Sequence, residues 1–114
     1  MNYRYAILGS GRQGLSAAYD IGRFGDAQEI ILFDINPQSA VNGANRLNSL
    51  LNTNRVKGLA LDVANREQLD KALAGIHSTI SAVPYQFNPL ITLAAVHAGS
   101  NVCDLGGNTD VVRE

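Results

Sequence analysis

The stretch "YAILGSGRQGLSAAYDIG", residues 5–22, decides how the rest of this chain is read. An apolar run, Tyr5 to Leu8, meets Gly9, Gly11 and Gly14 at the spacing G-x-G-x-x-G and passes into alanine-rich sequence of helical period. Alone, that spacing is a weak signal, because three glycines also make an ordinary tight turn. Here strand, turn and helix follow in the order a dinucleotide site requires. Gly9 falls where the strand must turn sharply, Gly11 where backbone must come close to a pyrophosphate, and Gly14 where helix and strand pack without room for a side chain. The helix start supplies unpaired N–H groups and partial positive charge to a phosphate. Ser10, Arg12 and Gln13 fill the remaining positions of the turn and are candidate cofactor contacts. Arg12 and Gln13 could reach the phosphates, although a solvated arginine suits position 12 nearly as well.

The second half of the pattern is "EIILFD", Glu29 to Asp34, a continuous apolar run of the kind found in parallel strands covered on both faces. Its acid, Asp34, stands 20 residues after Gly14. At the carboxyl end of a second strand it can accept hydrogen bonds from both hydroxyls of an adenosine ribose. It would repel a 2′-phosphate, and neither Ile35 nor Asn36 offers a cation to welcome one. NAD(H) is therefore expected over NADP(H).

Outward from this point, apolar β-branched runs alternate with helix-period segments. Strands are expected at Tyr3–Leu8, Glu29–Asp34, Val56–Asp62, "STISAVP" (78–84) and "NVCDLG" (101–106). Helices are expected from Arg12 to about Phe24, with Leu15, Ala18, Tyr19 and Gly22 on one stripe, and after Asn36, a natural cap followed by Pro37 in the first turn. A third helix has Asn65 as cap with Gln68 three residues on and Gly75 as stop; a fourth runs from about Pro89 to Ala98. Such alternation implies an α/β fold, a doubly wound parallel (Rossmann) sheet of five strands, ordered 3-2-1-4-5. One dinucleotide-binding domain is expected over residues 1–114, without internal repeats or linkers and without the sixth strand of a complete dinucleotide fold.

Further candidates lie at the expected strand ends. Asp62 and Val63 close the third strand, where an adenine could be held; a helix-initiating Asp is the equal alternative. Ala82, Val83 and Pro84 end the fourth, beside the expected place of the nicotinamide ribose, or else simply make a turn. His97 suits a helix C-terminus, His77 a loop, and Cys103 a buried strand where it packs rather than reacts. No Cys, His or carboxylate pair has metal-ligand spacing.

Composition narrows the partners. Apolar residues make up 46% and charged residues 17%, with a net charge of −1, which gives neither nucleic acid nor an anionic membrane an electrostatic grip. The N-terminus lacks a signal-peptide pattern and no apolar run would span a bilayer. The single cysteine makes no internal disulfide, consistent with a cytoplasmic location.

The distal half, "SAVPYQFNPLITLAAVHAGSNVCDLGGNTDVV" (81–112), resembles the saccharopine dehydrogenase family, in which a fourth strand ends in such a VPY turn. A helix then ends in AA-x-x-AG, and the next strand leads into D-x-GG. With "YAILGSGRQG" and "LFDINP" the likeness covers nearly the whole chain, and Leu105–Thr109, "LGGNT", resembles the lysine 6-dehydrogenase-like branch. The resemblance implies an NAD(P)-dependent oxidoreductase acting at a carbon–nitrogen bond of an amino acid. The family's motif positions map onto Gly9, Gly11, Gly14 and Asp34, with Val83 and Pro84 near the nicotinamide. Gly106, Gly107 and Asn108 would lead toward a substrate domain. Members carry a long substrate-binding and dimerisation domain after this point, so this chain is expected to be a truncated cofactor domain that binds NAD without turnover. Its last strand would be an uncovered edge that favours a homo-oligomer. The alternative from another class is a stand-alone NAD-binding regulatory module, like the nucleotide-sensing domains of potassium transport, and a third is an S-adenosylmethionine binder. The VPY turn and GGNT segment, which a sensor does not need, favour the enzyme.

Overall fold

The computed structural model describes residues 3–105. Among them, strands β1 (Tyr3–Leu8), β2 (Ala27–Asp34), β3 (Val56–Ala60), β4 (Ser78–Ser81) and β5 (Asn101–Asp104) alternate with helices α1 (Arg12–Phe24), α2 (Pro37–Leu51), α3 (Arg66–Leu73) and α4 (Asn88–Ala98). The strands form one parallel sheet in the order β3-β2-β1-β4-β5, as the alternation predicts.

The apolar strands read as continuous because they divide their side chains between two cores. Ala6 and Leu8 of β1, with Ile31 and Phe33 of β2, pack against Leu69 and Leu73 of α3 and Ile91, Ala94 and Ala95 of α4. Ile7, with Ile30 and Leu32, faces the other way, toward Ala18 of α1 and Ala44 and Leu47 of α2. Full burial of a Leu or Ile contributes about 1.5–3 kcal/mol relative to exposure, and Ile7, Leu8, Ile30, Leu32, Leu69, Leu73 and Ile91 are all wholly buried. Since α1 and α2 cover one face and α3 and α4 the other, the helices change sides between β1 and β4. That change leaves a crevice beyond the carboxyl ends of the central strands, where doubly wound sheets take their ligands.

Helix starts follow the expected chemistry. The Asn36 side chain accepts from the N–H groups of Gln38 and Ser39 at the head of α2, and Asn65 accepts from Gln68 N–H at the head of α3. Gln68 does not return the bond to its own cap; its Oε1 accepts from Asp62 N–H at 3.1 Å, tying α3 to the end of β3. Gly75 and Gly99 adopt φ of +77° and +75° after α3 and α4, the left-handed conformation that stops a helix.

Several expectations are corrected. β3 stops at Ala60 rather than Asp62, because Asp62 makes a local turn: its Oδ1 accepts from Ala64 N–H at 3.0 Å and its carbonyl from Asn65 N–H at 2.9 Å. β4 stops at Ser81 rather than Pro84. Ala82 still donates to Leu8 O, but Pro84 has no N–H, and a 3₁₀ turn (Tyr85–Phe87) follows before α4. β2 begins two residues early, at Ala27, which pairs with Tyr3. Gly22, expected on one stripe with Leu15, Ala18 and Tyr19, does face α2, where a Cβ would collide with the Leu51 side chain, although its own backbone is exposed. Cys103 was expected to be buried and is exposed, as is every residue of β5, since β5 is the edge of the sheet. The expected transition residues Gly106, Gly107 and Asn108, with Thr109, lie outside the described residues.

Candidate dinucleotide-binding site

Three chain crossings build the crevice, and each is fixed by backbone. Gly9 N–H donates to Phe33 O at 2.7 Å, Leu61 N–H to Asp34 O at 2.9 Å, and Ala82 N–H to Leu8 O at 2.8 Å. The ends of β1, β2, β3 and β4 are thereby locked side by side. They surround a cleft of about 280 Å³ whose lining includes Gly9, Ser10, Gly11, Asp34, Asp62, Val63, Ala82, Val83 and Pro84. The structure therefore gathers nine of the twelve candidate residues around one hollow.

The three glycines do different work. Gly9 has φ +105°, and a Cβ there would stand 2.8 Å from Ala82 O; the turn excludes a side chain on both counts. At Gly14 a Cβ would fall 1.9 Å from Gly9 O, because α1 packs directly on the turn. Gly11 has an ordinary extended backbone, φ −73° and ψ −170°, and a Cβ there would meet nothing within 4 Å. The fold makes no demand for glycine at position 11.

Gly11 is also the N-cap of α1, and no side chain caps that helix, whereas asparagines cap α2 and α3. The first N–H groups of α1 are thus left to solvent or a ligand beside the open face of the turn. Arg12 and Gln13 are exposed and do not line the cleft. Arg12 borders instead a separate hollow between α1 and α2 that includes Arg46.

Asp34 is held by three donors. Ser10 N–H and Ser10 Oγ–H donate to Oδ2 at 2.9 and 2.6 Å, and Asn36 N–H donates to Oδ1 at 3.0 Å. Burial opposes its ionisation, but the Ser10 hydroxyl and the N–H groups of Asn36, Ser10 and Ile35 outweigh it and hold the carboxyl below its ordinary value of 3.8. A lowered folded value means that stability from this group is complete at neutral pH and is lost as pH falls below about 4. Accordingly, the melting-temperature advantage of the unaltered protein over Asp34→Asn should shrink between pH 7 and pH 3. A constant difference over that range would show that the ionised form is not what the three donors favour.

Sequence reading missed four lining residues: Phe33, Ile35, Leu61 and Phe87. Phe33 and Leu61 immediately precede the two acids, so the strand-end position that singled out Asp34 and Asp62 was a usable signal for them. Phe87 arrives through the 3₁₀ turn, which the sequence did not announce. Among the described residues the only ionisable side chains lining the cleft are Asp34 and Asp62. No helix there is long and apolar enough to cross a membrane.

Solved structures share this architecture. Saccharopine dehydrogenase (L-Glu forming) from Saccharomyces cerevisiae is 24% identical with a TM-score of 0.70 over 90% of this chain and 21% of its own. The lactate dehydrogenase of Cryptosporidium parvum, solved with lactic acid and nicotinamide adenine dinucleotide, is 17% identical with a TM-score of 0.66 over 91% of this chain and 37% of its own. A short-chain dehydrogenase/reductase from Veillonella parvula is 15% identical with a TM-score of 0.68, over 91% of this chain and 47% of its own. At such identities the likeness is one of fold, and this chain spans less than half of each solved chain. The sequence carries more: residues 5–114 match the family described as the saccharopine dehydrogenase NADP binding domain, and the chain belongs to that family.

Proposed function

We propose that the cleft binds NAD(H), and that the domain supplies the cofactor site of an oxidoreductase acting at a carbon–nitrogen bond of an amino acid. The observation that carries the first part is Gly11. Neither φ nor packing requires a glycine there, and the helix behind it is uncapped, so the empty space suits the close approach of a diphosphate. Gly11 and the first N–H groups of α1 would hold the pyrophosphate, Asp34 the adenosine ribose, and Asp62 and Val63 the adenine side. Val83 and Pro84 would border the nicotinamide end, where their apolar surface excludes water. When bound, the nicotinamide would accept or return a hydride. Membership in the saccharopine dehydrogenase family supports the amino-acid substrate, and the same family match favours the enzyme over a regulatory module.

The family's description names NADP, while Asp34 favours NAD: an ionised carboxylate at the ribose position repels a 2′-phosphate. We also propose that these 114 residues bind cofactor without turning over an amino acid, because among the described residues the cleft offers two carboxylates and no His, Lys or Cys to move the amine's proton.

Thermal denaturation with NAD, NADP and S-adenosylmethionine in parallel tests the reading. A ligand at ~100 times its dissociation constant stabilises the folded state by roughly 2.7 kcal/mol, worth about 10 °C in a domain of this size. NAD should give the largest shift. A larger shift with NADP would refute the NAD preference, and no shift with either at millimolar concentration would refute the site.

A further inference from the structure

Asp34 is committed before any ligand arrives. Both acceptor positions of Oδ2 are taken by one residue, through Ser10 N–H at 2.9 Å and Ser10 Oγ–H at 2.6 Å. One position of Oδ1 is taken by Asn36 N–H at 3.0 Å, and Ile35 N–H also favours the carboxylate, so its roughly four acceptor positions are nearly all engaged. Ser10 is itself only 8% exposed, wedged between Gly9 and Gly11 at the bend of the glycine turn. The bond therefore joins the phosphate side of the cleft to its ribose side, across 24 residues of sequence.

We propose that Ser10 is a specificity-determining residue whose hydroxyl pins the Asp34 carboxylate in the cleft, so that a dinucleotide with a free 2′-hydroxyl is admitted and one with a 2′-phosphate is refused. The proposal rests on the reading of Asp34 as the ribose acceptor. A 2′-phosphate can be tolerated beside an aspartate in two ways: the side chain swings clear, or it takes a proton and loses its charge. The hydroxyl of Ser10 opposes both. Swinging clear breaks a short charge-assisted bond, and a donor aimed at the carboxylate favours the charged form. A ribose is not opposed in this way. Its hydroxyls reach the carboxylate by exchanging one hydrogen bond for another, Ser10 Oγ giving up its place on Oδ2 by turning about its Cα–Cβ bond. The Ser10 amide stays in place throughout. Removing the hydroxyl should therefore help NADP(H) more than NAD(H).

A double-mutant cycle on the 114-residue chain decides it. Dissociation constants for NADH and NADPH are measured by fluorescence titration for the unaltered protein, Ser10→Ala, Asp34→Asn and the double variant, at pH 8. The ratio of the NADPH to the NADH constant is expected to fall about tenfold in Ser10→Ala, chiefly through tighter NADPH binding. With Asp34→Asn present, Ser10→Ala should change nothing, since no charge remains to be pinned. An unchanged ratio, or parallel weakening of both cofactors, overturns the role of Ser10 alone. Failure of the unaltered protein to bind either dinucleotide, or tighter binding of NADPH than NADH, overturns the underlying reading of the site. Should Ser10→Ala lose its thermal transition, Ser10→Cys keeps the shape with a far weaker donor and must lower the same ratio.

Discussion

Alanine at position 11 should leave the domain folded and weaken dinucleotide binding by roughly 30- to 700-fold. The size follows from the groups displaced. A hydrogen bond to a charged group is worth about 1.5–3 kcal/mol, and a methyl between the turn and the diphosphate would lengthen or break one or two of them, a loss of about 2–4 kcal/mol at 1.4 kcal/mol per tenfold. Stability should barely respond. The backbone at Gly11 is one that alanine adopts freely, and the added Cβ meets nothing within 4 Å. The remaining cost is that of an alanine at an N-cap, about 1 kcal/mol or less. Calorimetric titration paired with a denaturation curve measures both quantities in one preparation. Binding retained within threefold would mean that the diphosphate does not pass over this bend, and the site would have to be sought elsewhere.

The same residue shows where the sequence was legible. Three glycines written with one letter stand in three different settings: φ requires Gly9, packing requires Gly14, and Gly11 faces open space that the fold leaves free. Spacing alone suggested that division of roles, because a strand, a turn and a helix in that order leave little geometric choice. Strand order was legible for a similar reason. Runs such as Ile30 to Phe33 are apolar at every position only when both faces are covered, and covering both faces demands helices between parallel strands.

What the sequence hid was set by distant chain. Cys103 carries the composition of a buried strand, yet its exposure depends on whether anything lies beyond β5. The Ser10 bond joins residues whose proximity exists only once β1 and β2 are paired. Arg12 is a different case: of the two readings the sequence leaves open, the structure shows the exposed arginine, and helix geometry already favours it. Gly14 and Ala18 face the sheet, and at about 100° per residue position 12 stands nearly opposite position 14, on the outer side of α1.

The sharpest contrast with Gly11 lies three residues on. Gly14→Ala adds the same single methyl and is expected to destabilise the domain by more than about 3 kcal/mol, against a total of roughly 5–15 kcal/mol for a domain of this kind. The methyl would fall 1.9 Å from Gly9 O and 3.0 Å from Gly9 C. Both are backbone atoms, so no rotamer relieves the clash; either α1 lifts from the sheet or the turn moves. Lifting α1 exposes Ala18 and opens the core that Ile7 shares with Ala44 and Leu47. Moving the turn breaks the bond from Gly9 N–H to Phe33 O and shifts Ser10 from Asp34. Either way binding fails as a consequence of folding, where at Gly11 it fails without it. Urea unfolding of the two variants side by side separates these cases: the midpoint of Gly14→Ala should drop by far more than that of Gly11→Ala. Equal midpoints would mean that the approach of α1 to the turn is looser than the contact at Gly9 requires, and the division of labour among the glycines would fall with it.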